Sequence, residues 1–471
     1  MTHAPAGTEE TTAAGGRRAA PTVLKFGGAG LRDGAAIRHA ASLVASHPGP
    51  RLAVASALEG VTDLLLAAQD KVRGHDAQVL PTLEALRRRH LTALQHCAPG
   101  DDAATYAIES GLQRLERLLY GIAYTEERTE RLHDLVQSFG ERLAAPLLAA
   151  AVRAQGVPAV AIDAEHAGLR TLGPYGDARV DLEAVRREAG PVLRAMLDTG
   201  QVPVVTGYYG VDTAGNATLF GRGGSDFVAA VLAHAVEAQA VELWKDVAGF
   251  LTADPRLVPT ARWLPELGYD EAAELALNGA KVLHARCVEP VQAAAIPIRV
   301  RSLAEPQREG TVIRDGVPDA PRGVRSLTHR APVALVRIAG AAGTAEALAP
   351  VTASLQSSGV RVLAAALGGS GLALAVASGD EAAVRHAVAT APAAARTVEV
   401  RGQRSLLGIV GRGIPASGAA AKVLETLAHA GVPVEMVAFG ASQVAVNAVV
   451  PAADAPAALR ALHRAFLEGA A

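Results

Sequence analysis

The chain has 471 residues, 20% of them charged and 50% apolar, with a formal net charge of −2. At roughly 100–200 residues per domain, that length predicts two to four domains with a large apolar surface to bury. The near-zero charge excludes a global positive field for recruiting nucleic acid or anionic membrane, and Cys97 and Cys287 are too few for a disulfide framework or a cysteine zinc site.

Residues 1–20 are rich in Ala, Gly and Thr and lack the apolar core of a secretory signal, so a disordered tail is expected there. No uncharged apolar run approaches the ~18–20 residues that cross a bilayer. Low cysteine usage suits a reducing compartment, and the expected location is cytoplasmic.

From Pro21 to about Arg301, strand-like and helix-like runs alternate. Thr22–Phe26 (TVLKF) reads as a strand, and the following DGAAIRHAASLVASH places Ile37, Ala40, Ala41 and Val44 on one helical face. Arg51–Leu58 is the next strand, and a long helical block runs from about Val61 to Gln155. Strands are then expected at Val157–Asp163, Val202–Gly207, Ala240–Val247 and Ile296–Ser302. Several are apolar on both faces, as in a buried, mostly parallel sheet covered by helices. The expected fold class is a three-layer α/β/α domain.

Pro, Gly and charge concentrate over Ala304–Gly323 and mark a linker. An internal repeat follows: GVRVLAAALGGSGLALAVA from Gly359 and GVPVEMVAFGASQVAVNAV from Gly431. Each copy reads strand, helix, strand, strand, helix, and the first regains an edge strand at Arg396–Gly402. The expected division is a tail over 1–20, a large domain over 21–315, a linker over 316–331, and two small α+β modules over 332–402 and 403–471.

Lysine is scarce: Lys25, Lys71, Lys245, Lys281 and Lys422 are the full set. Lys25 ends an apolar run directly before Gly27 and Gly28, where a strand-to-helix turn can bring backbone N–H groups and a point charge to a phosphate. In LFGRGGSDF, Gly221, Gly223 and Gly224 surround Arg222, and Ser225 and Asp226 open an apolar helix. Arg222 suits bidentate binding of a carboxylate. Lys281 follows Gly279 and Ala280, and Trp244-Lys245-Asp246 leads from strand into loop. Together these segments point to phosphoryl transfer, which needs positioning and positive charge more than covalent help. There is no Walker-type phosphate loop and no protein-kinase catalytic loop. The glycines of Gly28–Gly34 miss the dinucleotide-binding spacing by one residue.

These segments resemble the aspartate kinases of the amino-acid-kinase superfamily, which carry two C-terminal ACT domains of βαββαβ type. The resemblance covers nearly all of residues 21–470. It rests on KFGG at Lys25, SALEGVTDLLL at Ser56, SFGERLAAPLLAAAV at Ser138, VTGYYG at Val205, GRGGSD at Gly221, WKDVAGFLTADPR at Trp244 and GAKVLH at Gly279. It implies transfer of phosphate from ATP, with Mg²⁺, to the side-chain carboxylate of L-aspartate. By matching position, Lys25 contacts the transferred group and Asp226 holds Lys25. Ser225 and the Gly223-Gly224 backbone line the phosphate path, as do Gly27 and Gly28. Arg222 binds the substrate α-carboxylate, Glu141 its ammonium, and Ser56 and Thr62 lie nearby. Lys281 binds ATP phosphates, with Trp244, Lys245 and Asp246 near the nucleoside. A homodimer through the ACT domains is implied, with no nucleic-acid or membrane partner.

The chain departs from the family pattern at several points. Ala29 and Gly30 stand where Thr/Ser and Ser are usual, Ala248 replaces an acidic residue, and Ala285 replaces a proline. Gly359–Ala377 contains no Asp or Glu, whereas regulated relatives hold an effector's ammonium with carboxylates there. Gln443 and Ala445 replace the Glu and Asn common in the second module. Weak or absent lysine/threonine feedback is therefore expected, and with it service to a dedicated biosynthetic pathway. Two other readings stay open: a related kinase acting on another amino-acid or small carboxylate, and a catalytically impaired regulatory or binding subunit.

Overall fold

The computed structural model describes residues 19–315, 322–339, 344–369, 371–377, 381–389 and 397–468. Most of the expected tail (1–18) and the first part of the expected linker (316–321) lie outside the described residues.

The strands in chain order are β1 (Thr22–Phe26), β2 (Arg51–Ala55), β3 (Ala159–Ile162), β4 (Thr171–Leu172), β5 (Arg179–Val180), β6 (Val202–Thr206), β7 (Tyr209–Val211), β8 (Ala217–Leu219), β9 (Ala240–Lys245), β10 (Glu266–Leu267), β11 (Ile298–Ser302) and β12 (Thr311–Ile313). The helices between them are α1 (Gly34–Ser46), α2 (Val61–Val72), α3 (Val79–Cys97), α4 (Asp102–Thr125), α5 (Glu130–Gln137), α6 (Phe139–Ala154), α7 (Ala164–Ala167), α8 (Leu182–Asp198), α9 (Gly224–Ala235), α10 (Tyr269–Leu277) and α11 (Glu289–Gln292).

The main sheet has the order β10-β12-β11-β9-β1-β2-β6-β3. Every pairing in it is parallel except β11 with β12. One apolar cluster packs α8 and α9 on one face, with Val23, Val54 and Val228 among its members. A second packs α1, α3, α4 and α6 on the other, around Leu24, Phe26 and Leu147. Alternate residues of β1 thus go to opposite cores, which is why its sequence is apolar on both faces. α6 runs through the interior, every residue from Phe139 to Val152 being buried. The three-layer domain is as expected.

The C-terminal part contains β13 (Gly323–Ala339), α12 (Thr344–Ser357), β14 (Arg361–Gly368), β15 (Gly371–Ala377), α13 (Glu381–Ala389), β16 (Thr397–Arg412), α14 (Ala419–His429), β17 (Met436–Ala438), β18 (Ala445–Pro451) and α15 (Ala455–His463). Its six strands form one antiparallel sheet, β14-β15-β13-β16-β18-β17. The end strands β14 and β17 come into contact. Leu363 and Met436 there join Val333, Leu335, Leu406 and Val449 in a small apolar cluster.

Two expectations are corrected. Thr311–Ile313, inside the Ala304–Gly323 stretch read as a linker, is strand β12 of the main sheet and pairs with β10 and β11. Residues 323–331, placed in the linker by their neighbours' composition, are the first half of β13 and pair with the second half of β16, Gly323 opposite Arg412. The second repeat therefore takes a strand from ahead of the first. Alternation in GVRSLTH gave a strand signal, but the Pro- and Gly-rich flank masked it. Of the expected edge strand at Arg396–Gly402, Arg396 lies outside the described residues and the rest is the first half of β16, where Val400 pairs with Val336 of β13.

Candidate active site

Parallel strands that end together gather the residues that follow them. β1, β2 and β9 do so: Phe26 lies opposite both Ala55 and Trp244, and Lys25 opposite Val54 and Leu243. The ladder continues past the strand ends, with the Ser56 N–H donating to the Phe26 carbonyl at 3.2 Å and the Gly207 N–H to the Ala55 carbonyl at 2.9 Å. The N-terminus of α9 docks on this edge. A Cβ on Gly207 would lie 2.7 Å from that of Ser225, so only glycine allows the approach.

Asp226, in the first turn of α9, is the centre of the cluster. Its Oδ1 lies 2.6 Å from Nζ of Lys25, whose side chain is 8% exposed against 6% for Asp226. Nζ of Lys245 donates to the other oxygen, Oδ2, at 2.7 Å. Burial pushes the Asp226 carboxyl up, but the two ammonium groups outweigh it and hold it at about 2. Burial lowers the Lys25 pKa, Asp226 opposes that, and the Lys245 charge lowers it further. The result is a desolvated, net-positive triad beside a helix N-terminus, the environment that draws a phosphoryl group.

Glu141 lies near, in the first turn of α6. The Ala57 N–H donates to its Oε1 at 3.0 Å, and the Ser225 hydroxyl lies 3.5 Å from the same atom. Oε2 is buried with no hydrogen-bond partner among the described residues. Burial pushes this carboxyl up to about 8. Tyr208 adjoins it in left-handed backbone, φ +69°. Burial raises its hydroxyl to about 12, with the Glu141 charge adding to the rise and Arg222 opposing it.

The other expected site residues fall in three groups. Ser56 and Thr62 are half-buried, Ser56 directly after β2 and Thr62 in the first turn of α2. Gly27 is extended with an ordinary φ of −82°, and Gly28 opens a 3-10 turn. A Cβ on Gly27 would sit 3.4 Å from Nζ of Lys25, so the turn borders the ammonium. Gly223 caps α9 in left-handed backbone, with Gly224 as the first helical residue. Arg222 is exposed beside them, Lys281 is exposed in the loop after α10, and Asp246 is exposed after β9. The Lys281 loop reaches the site through His284, which fills the space a Cβ on Gly223 would need.

Two placements differ from expectation. Trp244 is 4% exposed and stacks on Phe26 at 6.4 Å, with the Arg301 guanidinium 5.1 Å from its ring. It faces the core because strand alternation sends it with Phe26, opposite to Lys245. Its indole is not a surface for a nucleotide base. Lys245, expected near the nucleoside, sits on Asp226. Its signal was in the sequence, a rare lysine closing an apolar strand as Lys25 does. Tyr208 went unselected because nothing local distinguishes it from buried Tyr209.

Among the described residues, Asp163, Glu165 and His166 form the one grouping with metal-ligand spacing. Arg142 already binds Asp163 at 2.6 Å and Glu165 at 2.7 Å, which makes it an ion-pair network. Asp226 has both oxygens on lysines and is not free as a ligand.

The amino acid kinase family matches residues 20–302, and an ACT domain matches residues 407–466. Aspartokinase 2, chloroplastic, of Arabidopsis thaliana is 31% identical over 465 residues, 95% of this chain and 84% of the relative. Among solved structures, E. coli aspartokinase III in complex with aspartate and ADP (R-state) is 29% identical with a TM-score of 0.82, covering 94% of this chain and 99% of that one. The same enzyme with lysine and aspartate (T-state) is also 29% identical, with a TM-score of 0.78 over 95% and 99%.

Proposed function

The chain belongs to the aspartokinases of the amino acid kinase family and phosphorylates aspartate, and on that premise we infer how its own residues do so. The observation that carries the inference is the buried ion contact between Lys25 and Asp226 at the C-terminal edge of the sheet.

The substrate is a zwitterion with a second carboxylate. The unpartnered Oε2 of Glu141 receives the ammonium, and Arg222 receives the α-carboxylate in a bidentate grip. The side-chain carboxylate is then directed at the γ-phosphorus of ATP. An oxygen–phosphorus bond forms to that carboxylate as the bond to the β-phosphate oxygen breaks, giving 4-aspartyl phosphate and ADP. Two anions must approach one another, so their repulsion sets much of the barrier. Lys25, held by Asp226, offsets the charge at the transferred group. Lys281 reaches the remaining phosphates from its exposed loop. Asp226 is occupied by lysines, so Mg²⁺ would be carried by the phosphates of ATP, where it would supply further charge neutralisation.

Aspartyl hydroxamate formed from ATP, Mg²⁺, aspartate and hydroxylamine tests this reading. Lys25→Ala is expected to lower kcat by about 100-fold or more, as removal of a charge-stabilising donor does. Full activity in that variant refutes the assignment.

Regulation is inferred to be weak. The β14–β15 hairpin and its approach, Gly359–Ala377, offer no carboxylate to an effector's ammonium. In the same assay neither lysine nor threonine is expected to inhibit below millimolar concentration, and sub-millimolar inhibition by either, or by both together, overturns this. Pairing of two chains through the ACT modules is inferred from the resemblance to ACT-bearing aspartate kinases and is read by light scattering of the full chain.

A further inference from the structure

Lys245 is not accounted for by the chemistry above. It closes β9 beside Lys25 on β1, its side chain is 16% exposed, and its ammonium lies on a carboxylate that already has a cation. The two lysines hold different oxygens of Asp226. Lys245 donates a hydrogen bond to Oδ2 at 2.7 Å. Lys25 lies 2.6 Å from Oδ1. An ammonium has three N–H donors, so one contact to Oδ1 leaves the others of Lys25 for a phosphate.

We propose that Lys245 is a positioning residue of the transfer centre: its hydrogen bond fixes the Asp226 carboxylate so that only Oδ1 engages Lys25, which keeps its other donors for the phosphate. The inference rests on the aspartate-kinase reading of this site. Rotation of a carboxylate about its last side-chain bond is soft. With Oδ2 tied to β9 the carboxylate plane is set, and Oδ1 holds Lys25 in place. Without that tie Asp226 turns to engage Lys25 with both oxygens and draws a second donor away from the phosphate. The charge changes as well. Two ammonium groups on one carboxylate leave the centre at +1, whereas a lone pair leaves it neutral before two approaching anions.

The groups facing Lys25 are Asp226 from α9, Lys245 from β9, Glu141 from α6 and the Cys287 thiol, which burial keeps neutral. Lys245 is the one cation among them. Its charge makes the Lys25 ammonium easier to deprotonate, so its removal must let Lys25 keep its proton to higher pH.

The test uses the full chain with Lys245→Met and Lys245→Gln, and Lys25→Ala in parallel. Lys245→Met is expected to lower kcat about 10- to 100-fold, with KM for ATP changing less than about threefold. The alkaline limb of its kcat profile moves up by about half a pH unit or more. Lys245→Gln, which keeps a donor without the charge, recovers part of kcat but shows the same displaced limb. If Lys245→Met does not fold, the limb and the KM-against-kcat split are read in Lys245→Gln. A raised KM for ATP at wild-type kcat overturns the proposal in favour of a nucleoside contact. A lowered kcat with an unmoved limb overturns it in favour of a purely structural role. Either result beside an inactive Lys25→Ala leaves the site reading standing, whereas an active Lys25→Ala removes both.

Discussion

Glu141 is a carboxyl group whose burial outweighs the nearby Lys25 charge, and no cation hydrogen-bonds its Oε2 among the described residues. Burial holds it at about 8 against an ordinary 4.5, so the empty site keeps it largely protonated at neutral pH. An incoming ammonium favours the ionised form, and KM for aspartate should fall as pH rises from 6 toward 8. Glu141→Gln should raise KM for aspartate roughly 30-fold or more, the loss of a buried charge pair, and should flatten that pH dependence. Its effect on folding has the opposite sign. A carboxyl raised in the folded state contributes stability that is lost as pH climbs from about 4.5 through 8. The Gln variant escapes this loss and should melt no lower than wild type at pH 8; a clearly lower melting temperature would contradict the burial argument. Gly30 resolves at the same scale. A Cβ there would point at Leu303, 3.1 Å from Cδ1, and at the Phe26 Cβ, not at the Lys25 ammonium. The missing serine hydroxyl at position 30 is a packing difference, which no motif comparison could reveal.

At the scale of elements, the glycine-rich turn before α9 decides how Ser225 and Asp226 are presented. Gly223 has φ +74°, which costs a side-chain-bearing residue ~1–2 kcal/mol, and its missing Cβ leaves room for His284. Gly223→Ala must both strain the turn and displace the Lys281 loop. A fall in kcat of about tenfold or more is expected, with a melting temperature lower by a few degrees. Retained kcat would mean that the turn accommodates the methyl group without moving Asp226. The elements themselves were largely legible. β1 falls where TVLKF placed it, and α1 carries the Ile37, Ala40, Ala41 and Val44 face that its spacing predicts. Alternation and helical spacing are local signals, and local sterics enforce them. Trp244 was misread because an aromatic residue before a loop looks the same whether it turns to the core or to a ligand.

For the whole molecule, the C-terminal sheet is attached to the kinase domain at the loop that bears Lys281. Arg330 of β13 donates to the Leu277 carbonyl at 2.9 Å and the Ala276 carbonyl at 3.3 Å, so it caps α10 from the other domain. The His329 carbonyl packs against Gly279, and Gly408 of β16 against Asn278. Any shift of β13 or β16 therefore reaches Lys281 within one loop. Arg330→Ala removes two charge-assisted bonds, each worth ~1.5–3 kcal/mol when buried. It should raise KM for ATP about three- to tenfold while kcat changes less, because Lys281 loses its fixed base but the Lys25 centre is untouched. An unchanged KM would separate the two domains functionally.

The sequence alone determined the six longer strands of the main sheet, the repeat in the C-terminal part, and the presence of Lys25, Arg222 and Asp226 in segments suited to phosphoryl transfer. These follow from periodicity and from residue chemistry, both of which act over a few positions. Tertiary structure alone decided that Lys245 meets Asp226, that Trp244 joins the core, that Oε2 of Glu141 is left open, and that residues 323–331 enter the sheet of the second repeat. Each of these depends on which strands are neighbours and which face turns inward, and such contacts join residues far apart in the chain.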